Sequence, residues 1–239
     1  MKKRRTAFIV AAGLVLLAIL AACGSREKAP TTTERTAAVP SSETGATKRE
    51  EPKANDTRPV IVAFGDSLTA GVAGRSYPEQ LQDVLDENHL TYRVENQGVS
   101  GDTSTDGLAR IDNVIAAKPV LVLLEFGGND GLRGIPVEAT KKNLAEMIER
   151  LQAAKIRVVL LGITLPPNYG PDYVEPFTKM FPELAKKYHL AYMPFLLAHV
   201  YEHPEMMQPD GIHPNGAGNQ VVARDVFELI RPLLSRTHS

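Results

Sequence analysis

The sequence predicts an α/β domain of three layers, in which a mostly parallel central sheet is covered by helices on both faces. Three observations support this fold class. The predicted strands, such as residues 120–126, are apolar throughout rather than alternating, which is typical of strands buried on both faces. Segments with helical spacing of apolar residues separate these strands. The polar residues with catalytic chemistry follow the strands, where parallel sheets form their sites.

Five strands are predicted along the domain. Each is a short run of apolar and β-branched residues that ends at glycine or polar residues. They cover residues 60–64, 91–94, 120–126, 157–163 and 190–193. Helices are predicted where apolar residues recur every three or four positions. They cover residues 76–88, 102–117, 139–154, a stretch that ends at 183–187, and 215–234.

The segment 166–177 follows the fourth predicted strand and is rich in proline and aromatic residues. Because proline fixes the backbone, the segment is predicted to be a rigid loop. Its aromatic residues are Tyr169, Tyr173 and Phe177. The sequence leaves open whether this loop lines a cleft or simply packs on the domain.

The N-terminus has the pattern of a bacterial export signal. Four basic residues at positions 2–5 precede the uncharged apolar stretch 6–22, which suits a signal peptide and lies at the lower limit for a membrane span. Cys23 is the only cysteine, and the string LAACG at positions 20–24 resembles a lipoprotein lipobox. That resemblance implies cleavage before Cys23 and lipid on its sulfur. An uncleaved anchor and an ordinary signal peptide are the alternatives.

Three regions follow from this interpretation: a signal peptide at 1–22, a lipidated cysteine with a linker at 23–57, and a domain at 58–239. The linker is rich in Thr, Ser, Ala, Pro, Glu and Lys, so it is predicted to be disordered because it buries too little apolar surface to offset its ordering entropy. The expected location is the bacterial cell envelope. Gly24 replaces the Asp that often retains lipoproteins at the inner membrane, which implies the periplasmic face of the outer membrane in a Gram-negative organism.

Charge and motif content argue against some classes of partner. The formal net charge is −1, and four of the basic residues lie in the signal peptide. The remaining chain is therefore acidic overall, which argues against nucleic-acid binding. His199 and His203 have the spacing of helical metal ligands, but no Glu-bearing zinc motif surrounds them. We expect no metal and no cofactor.

Ser67 is the first candidate catalytic residue. It lies in the string GDSLT at positions 65–69, where the first strand ends and a helix is expected to begin. Its hydroxyl and backbone N–H would lie at the positive end of that helix, where a developing anion is favoured. On its own, such a turn is also typical of a helix cap.

Two candidate oxyanion donors follow the next two strands. Gly98 lies in a tight turn, where the absence of a side chain leaves the backbone N–H accessible. Asn129 lies in the string GGND at 127–130, and its side-chain amide can donate to an oxyanion. Each residue is also ordinary in a turn.

Asp210 and His213 lie three residues apart, just before the last predicted helix. At this spacing the carboxylate can reach the imidazole and fix its tautomer. His213 is then free to accept a proton from a serine hydroxyl. The alternative is an Asp-Gly turn with an exposed histidine.

These four segments occur in the order and spacing found in SGNH (GDSL) hydrolases, which this chain resembles. The resemblance implies that Ser67 is the nucleophile and that His213 is its base, oriented by Asp210. It also implies that the oxyanion is held by Ser67, Gly98 and Asn129. The implied fold is the flavodoxin-like fold of SGNH hydrolases.

The resemblance covers residues 59–234, and the longer strings around the motifs are similar to the bacterial thioesterase–arylesterase–lysophospholipase branch. It implies a serine esterase that hydrolyses acyl esters, thioesters or lysophospholipids through an acyl-enzyme. No obligate protein partner is implied, and the membrane is expected to be reached through the N-terminal lipid. The stretch 72–77, which borders the expected acyl pocket, is shorter than is usual in that branch.

Two other functions are compatible with these motifs. A carbohydrate O-acetylesterase would use the same residues on a different substrate. A non-catalytic, ligand-binding lipoprotein would keep the fold without the chemistry, although the intact Ser67, Asn129, Asp210 and His213 argue against it. The chain lacks the Gly-x-Ser-x-Gly elbow of α/β-hydrolase lipases and any glycine-rich phosphate-binding motif.

Overall fold

The computed structural model describes residues 56–234. The predictions for the signal peptide, for Cys23 and for nearly all of the linker therefore lie outside the described residues. Within 56–234, no helix combines the length and the apolarity needed to cross a membrane.

The centre of the domain is a five-stranded, fully parallel sheet. Its strands are β1 (Val60–Gly65), β2 (Arg93–Asn96), β3 (Leu121–Glu125), β4 (Arg157–Leu161) and β5 (Ala191–Met193). Their spatial order is β2-β1-β3-β4-β5. The chain goes from β1 to one side and returns to pair β3 on the other side, with Val62 opposite Val122. This reversal opens a crevice at the carboxyl ends of β1 and β3, where ligands bind in sheets of this kind.

Helices connect the strands. They are α1 (Ser67–Ala70), α2 (Tyr77–Glu87), α3 (Ser104–Ala109), α4 (Ile111–Ala116), α5 (Gly128–Leu132), α6 (Val137–Ala153), α7 (Pro171–Tyr188) and α8 (Gly216–Ile230). Helix α2 packs against α8, and helices α3 and α7 both pack against α6. The sheet lies between helical layers, and this confirms the predicted three-layer α/β/α sandwich with a parallel sheet.

The core lies on both faces of the sheet. All five residues of β3 are buried, as are the last five of β1 and the last four of β4. This explains why these strands read as continuous apolar runs in the sequence. One of the buried residues of β3 is Glu125, a carboxyl in the middle of the core.

The predicted helix over 102–117 is two helices that meet at Arg110. The Arg110 side chain turns back to the sheet, where its guanidinium donates to the carbonyl oxygens of Gly65 and Gln97. It also pairs with Asp102 at 2.7 Å. Asp102, the first residue of the predicted helix, is therefore an ion-pair partner and not a helix N-cap. Thr103 provides that cap through a capping box with Asp106.

The prediction of a rigid loop over 166–177 is wrong for most of its length. Helix α7 begins at Pro171, which is compatible with the first turn of a helix because its missing N–H needs no partner there. Phe177 is fully buried and its ring lies edge-on to Phe181, with 5.6 Å between the centroids. Phe177 therefore packs in the core. Only the start of the segment, at Pro166, reaches the cavity described below.

Candidate active site

Ser67 lies at the turn where β1 ends and α1 begins. The preceding residue, Asp66, caps the turn because its Oδ1 accepts a hydrogen bond from the Leu68 N–H at 3.0 Å. The short helix that follows places the Ser67 side chain towards the crevice, where it lines a cavity together with Asn129 and His213. A strand-to-helix turn thus holds the serine at the carboxyl edge of the sheet.

His213 connects Ser67 to Asp210. Its Nε2 lies 2.8 Å from Ser67 Oγ, and its Nδ1 lies 2.7 Å from Asp210 Oδ2. The Asp210 carboxylate accepts from Nδ1, so Nε2 is left unprotonated in the neutral ring and faces the hydroxyl. Ser67 and His213 are 146 residues apart in sequence. This is the arrangement in which a serine hydroxyl loses its proton to histidine as it attacks.

The loop that carries His213 is held at both ends. Before His213, the Asp210 Oδ1 accepts from the backbone N–H groups of Ile212 and His213. After it, Asn215 caps α8 by accepting from the N–H groups at the start of that helix. The Gln80 amide of α2 also donates to the Gly216 carbonyl at 2.9 Å. These hydrogen bonds fix the position of the imidazole ring.

The surroundings of Asp210 favour its charged form. Burial raises the pKa of its carboxyl, but this is outweighed by the hydrogen bonds from the His213 backbone N–H, the His213 side chain and the Ile212 N–H. Together they lower the pKa to about 2. The carboxylate is therefore ionised at neutral pH and can stabilise the imidazolium that forms during catalysis.

Gly98 lies against the backbone of α1. A Cβ at this position would lie 2.2 Å from the Ala70 nitrogen, so only glycine allows the second loop to approach the nucleophile turn this closely. The Gly98 N–H donates to Asn96 Oδ1 at 2.9 Å. To stabilise an oxyanion it must share this hydrogen bond with the incoming oxygen.

Asn129 lies in α5, directly after β3. The helix begins after Gly127, whose φ of +119° is a conformation that L side chains rarely adopt. The Asn129 amide donates to the Asp102 carbonyl at 2.9 Å and to Asp66 Oδ2 at 3.1 Å. Both N–H groups are thus engaged, and one of them must turn to an oxyanion when substrate binds.

Behind the nucleophile turn lie two buried carboxyl groups. Glu125 Oε2 accepts from the Asp66 N–H at 3.2 Å and from Thr69 Oγ1 at 2.9 Å. Glu125 Oε1 is buried without a hydrogen-bond partner. Burial raises the pKa of Asp66 to about 6. Burial, reinforced by the Asp66 charge, raises the pKa of Glu125 well above its usual value, which favours a neutral Glu125 at neutral pH.

An apolar cavity of about 370 Å³ opens beside Ser67. Its polar wall includes Ser67, Asn129 and His213. The apolar side chains that line it are Leu68, Leu132, Ile163, Leu165, Pro166, Phe195, Leu197, Tyr201 and Ile212. A cavity with one reactive polar wall and an apolar remainder suits a substrate in which an acyl chain adjoins a carbonyl.

The two histidines with metal-like spacing do not converge. His199 Nδ1 lies 2.9 Å from Asp225 Oδ2, whereas His203 Nδ1 lies 3.1 Å from Glu205 Oε1. Within the part of the chain that the structure describes, no three His, Cys, Asp or Glu side chains are placed to hold a metal ion.

The structure brings Ser67, Asp210 and His213 into one hydrogen-bonded chain and places Asn129 in the same cavity, with Gly98 against the adjoining turn. The contributions of Glu125 and Arg110 were missed in the sequence. A carboxylate inside an apolar strand is a detectable signal, because such groups are rarely buried without partners. The sequence around Arg110 does not indicate its role. Its guanidinium lies 4.4 Å above the ring of Phe64, a residue that is far from Arg110 in the sequence.

Comparison with known families identifies relatives of the domain. Residues 63–221 match the GDSL-like Lipase/Acylhydrolase family. The chain is 41% identical over 178 residues to the esterase TesA of Pseudomonas aeruginosa, an alignment that covers 73% of this chain and 89% of that protein. It is 37% identical over 179 residues to the thioesterase 1/protease 1/lysophospholipase L1 of Escherichia coli K12, covering 73% of this chain and 85% of that one.

The fold of the domain is similar to that of solved structures. The crystal structure of TesA superposes with a TM-score of 0.70 at 41% sequence identity. The superposition covers 73% of this chain and 99% of the TesA chain. That solved chain therefore consists almost entirely of the region that corresponds to the domain described above.

Proposed function

The chain belongs to the GDSL-like Lipase/Acylhydrolase family and is a serine ester hydrolase, and from that premise we propose that Ser67, His213 and Asp210 form its catalytic triad. One observation carries the proposal: His213 lies within hydrogen-bond distance of both Ser67 Oγ, at 2.8 Å, and Asp210 Oδ2, at 2.7 Å. These contacts supply a nucleophile, a base and a group that orients the base.

In the first half-reaction, Ser67 Oγ attacks the carbonyl carbon of the ester while its proton passes to His213 Nε2. The carbonyl π electrons move to oxygen, and the resulting oxyanion is stabilised by the Ser67 and Gly98 N–H groups and by the Asn129 amide. When the tetrahedral intermediate collapses, the bond to the leaving oxygen or sulfur breaks. His213 Nε2 returns the proton to that leaving group.

In the second half-reaction, water replaces the leaving group. His213 Nε2 removes a proton from the water as its oxygen attacks the acyl-enzyme carbonyl. The intermediate collapses by breaking its bond to Ser67 Oγ, and His213 gives that oxygen its proton back. The products are a carboxylic acid and the free enzyme, so no cofactor takes part in the balance.

The acyl group of the substrate is assigned to the apolar cavity beside Ser67. Its lining favours an aliphatic or aryl acyl ester, thioester or lysophospholipid over an acetylated sugar, because a sugar would leave hydroxyl groups facing apolar walls. The relatives carry names of the same kind: an esterase, and a thioesterase that is also a lysophospholipase.

The test compares four substrates with wild type and Ser67→Ala: a short-chain aryl ester, an acyl thioester, a lysophospholipid and an acetylated xylo-oligosaccharide. Wild type is expected to hydrolyse one or more of the first three faster than the acetylated sugar, and Ser67→Ala to lose more than 95% of each activity, on the order of the loss expected for a nucleophile. A higher kcat/KM on the acetylated sugar would identify an O-acetylesterase. Activity retained by Ser67→Ala would require another nucleophile.

The enzyme is further proposed to be anchored in the cell envelope through lipid on Cys23. The sequence supports this with its basic start, its apolar stretch 6–22 and the small residues before the cysteine. The test is mass spectrometry of the N-terminus from membranes of a bacterium that expresses the full chain. A mature chain that begins with a diacylated Cys23 is expected. An unmodified Cys23, or a different first residue, would contradict the anchor and leave the esterase assignment intact.

A further inference from the structure

Large apolar side chains that remain exposed are concentrated at one edge of the domain. Among the described residues, seven large apolar side chains are clearly exposed, and six of them lie on segments that follow the carboxyl end of a strand. These six, called the apolar rim below, are Val72, Val99, Leu132, Tyr169, Tyr201 and Ile212. The seventh, Val120, directly precedes β3 and lies at the opposite edge. Single exposed apolar residues are ordinary, but their segregation to the edge that carries Ser67 indicates an interaction surface.

One half of the apolar rim is joined by contacts between neighbouring loops. Gly98 packs on the Ala70 backbone, which brings the loop of Val99 next to that of Val72. Arg133 donates to the Gly101 carbonyl at 2.8 Å, which joins the loop of Val99 to the end of α5. There Tyr169 Oη donates to the Leu132 carbonyl at 3.3 Å. These four rim residues therefore follow one another around the site.

The remaining rim residues, Tyr201 and Ile212, follow β5, and Ile212 lies in the loop that carries His213. Leu132, Tyr201 and Ile212 line the cavity itself, so the rim is continuous with the cavity wall. Ile212 directly precedes His213. A Cβ at Gly74, two residues after Val72, would lie 3.4 Å from Gly216 just beyond the catalytic histidine. Three of the six residues thus line the cavity, and the other three lie on loops that contact neighbouring segments of the site.

The charges beside the apolar rim decide which kind of partner it fits. Arg75 pairs with Asp83, and Arg133 donates to a backbone carbonyl. An acidic protein partner, such as an acyl carrier protein, would be expected to meet a cluster of basic residues. The rim instead presents aliphatic and tyrosine side chains, the composition that favours the boundary between lipid headgroups and acyl chains.

We propose that the apolar rim is a lipid-docking surface, which holds the mouth of the cavity against a membrane. The proposal rests on the proposed function, since the rim adjoins the acyl cavity of that esterase. With the rim in contact with lipid, an acyl chain passes from the bilayer to Ser67 along an apolar path. A docked domain thereby avoids the free-energy cost of exposing that chain to water.

The N-terminal segment is long enough for this orientation. Strand β1 starts at the edge opposite the apolar rim, so a domain anchored through Cys23 must turn its far edge to the membrane. A domain of this size is roughly 40 Å across, as estimated from its chain length. Residues 24–57 can span at most roughly 110 Å, the limit that covalent geometry sets for a chain of this length. The reach of the linker is thus sufficient.

The test uses the domain without residues 1–55, because a lipid on Cys23 would mask any binding by the rim. A solved relative of the same fold is almost entirely this domain, so the truncated protein is expected to fold. Contrary to the expectation for the stretch 72–77, none of its residues lines the cavity. Val72 and Val99 therefore belong to the rim and not to the cavity wall, and they are 49% and 44% exposed. Val120, which is 47% exposed at the opposite edge, provides the matched control.

Binding is measured by co-sedimentation with phosphatidylcholine vesicles. The wild-type domain is expected to bind, and the double variant Val72→Ser/Val99→Ser is expected to bind about tenfold more weakly, since it loses two apolar contacts with the lipid. Val120→Ser is expected to bind like wild type. Hydrolysis of a dissolved short-chain aryl ester should be equal in all three proteins, whereas hydrolysis of a vesicle-embedded ester should fall only in the double variant.

Three results would overturn the docking proposal. The wild-type domain could fail to bind vesicles, or Val120→Ser could weaken binding as much as the double variant. Alternatively, sedimentation could reveal a dimer that the double variant dissociates, which would make the rim a contact between two copies of the chain. Failure of the wild type to hydrolyse the dissolved ester would instead contradict the proposed function, so the two failures are distinguishable.

Discussion

Two aspartates of the same site are held in different ionisation ranges by their surroundings. Asp210 accepts two backbone hydrogen bonds and an imidazole, and these lower its pKa to about 2. Asp66 is buried next to Glu125, and burial raises its pKa to about 6. Asp210 is thus a permanent negative charge for His213, whereas Asp66 and Glu125 form a buried pair that supports the nucleophile turn and the Asn129 amide.

Asp210→Asn tests the role of the negative charge beside His213. The amide oxygen still accepts the two backbone hydrogen bonds, so the loop is expected to fold. The amide cannot stabilise the imidazolium, and it favours the wrong tautomer, so kcat should fall on the order of 10² to 10⁴-fold with little change in KM. Steady-state kinetics on an aryl ester provide the measurement.

Asp225→Asn is the matched control, because Asp225 pairs with His199 in the same way at 2.9 Å but outside the cavity. It should leave kcat and KM unchanged. An Asp210→Asn enzyme with wild-type kcat would show that Asp210 only shapes the turn.

Glu125→Gln tests the protonation state of the buried pair. A neutral glutamine keeps an oxygen that accepts from the Asp66 N–H and Thr69, so near-wild-type stability is expected at pH 7. Glu125→Ala should be destabilised by roughly 2–4 kcal/mol, because it leaves a cavity and unpaired donors.

The difference in free energy of unfolding between wild type and Glu125→Gln is predicted to depend on pH. The pKa of Glu125 is raised in the folded state, so the folded protein binds more protons than the unfolded chain between the ordinary and the raised pKa. Wild type should therefore lose stability relative to Glu125→Gln as the pH rises through this window. Urea titrations across the pH range measure the difference. A difference that grows in favour of wild type with rising pH would contradict a neutral Glu125.

The roles of single residues were predictable from the sequence where each residue lies in a short motif whose residue types indicate its chemistry. Ser67, His213 and Asp210 carry such signals, and the structure brings them together. The hydrogen bond from the Asn129 amide to Asp66 joins residues that are 63 positions apart, and neither motif indicates it in the sequence. It depends on the alignment of β1 with β3, which no single segment of sequence encodes.

At the scale of the elements, the site depends on how closely neighbouring turns approach. Gly98→Ala tests this directly. The added Cβ would lie 2.2 Å from the Ala70 nitrogen, so the second loop must move away from the nucleophile turn. We expect a loss of roughly 1–3 kcal/mol in stability, and a fall in kcat of tenfold or more from the displaced oxyanion donor.

Gly216→Ala is the control for this prediction, since a Cβ there meets no atom within 4 Å. Thermal unfolding and steady-state kinetics should show it close to wild type. Equal effects of the two substitutions would mean that the close approach of Gly98 is not required.

Elements with strong periodicity were predicted well, and elements shaped by distant contacts were not. The buried strands β1, β3 and β4 lie close to their predicted positions. Strand β2 begins two residues later than expected. The first part of helix α7, up to Phe177, was predicted as loop because of its prolines, but the burial of Phe177 and Phe181 outweighs the cost of Pro176 inside the helix. Local propensity therefore failed where tertiary packing was strongest.

At the scale of the whole molecule, the strand order explains why the site forms where it does. The sequence pattern predicted a parallel sheet, but it contained no information on the order β2-β1-β3-β4-β5. That order puts the carboxyl ends of β1 and β3 side by side, with Ser67 after one and Asn129 after the other. Helix α8, tied to α2 through Gln80, then brings His213 to the same crevice.

The central claim is that Ser67 is a nucleophile activated by His213, and labelling by a fluorophosphonate tests it most directly. The reagent forms a covalent bond with an activated serine, and mass spectrometry of the digested protein locates it. We predict one label per chain, on Ser67, with no label in Ser67→Ala and labelling slowed at least 100-fold in His213→Ala. A label on another residue, or labelling of Ser67 at an equal rate in His213→Ala, would contradict the account.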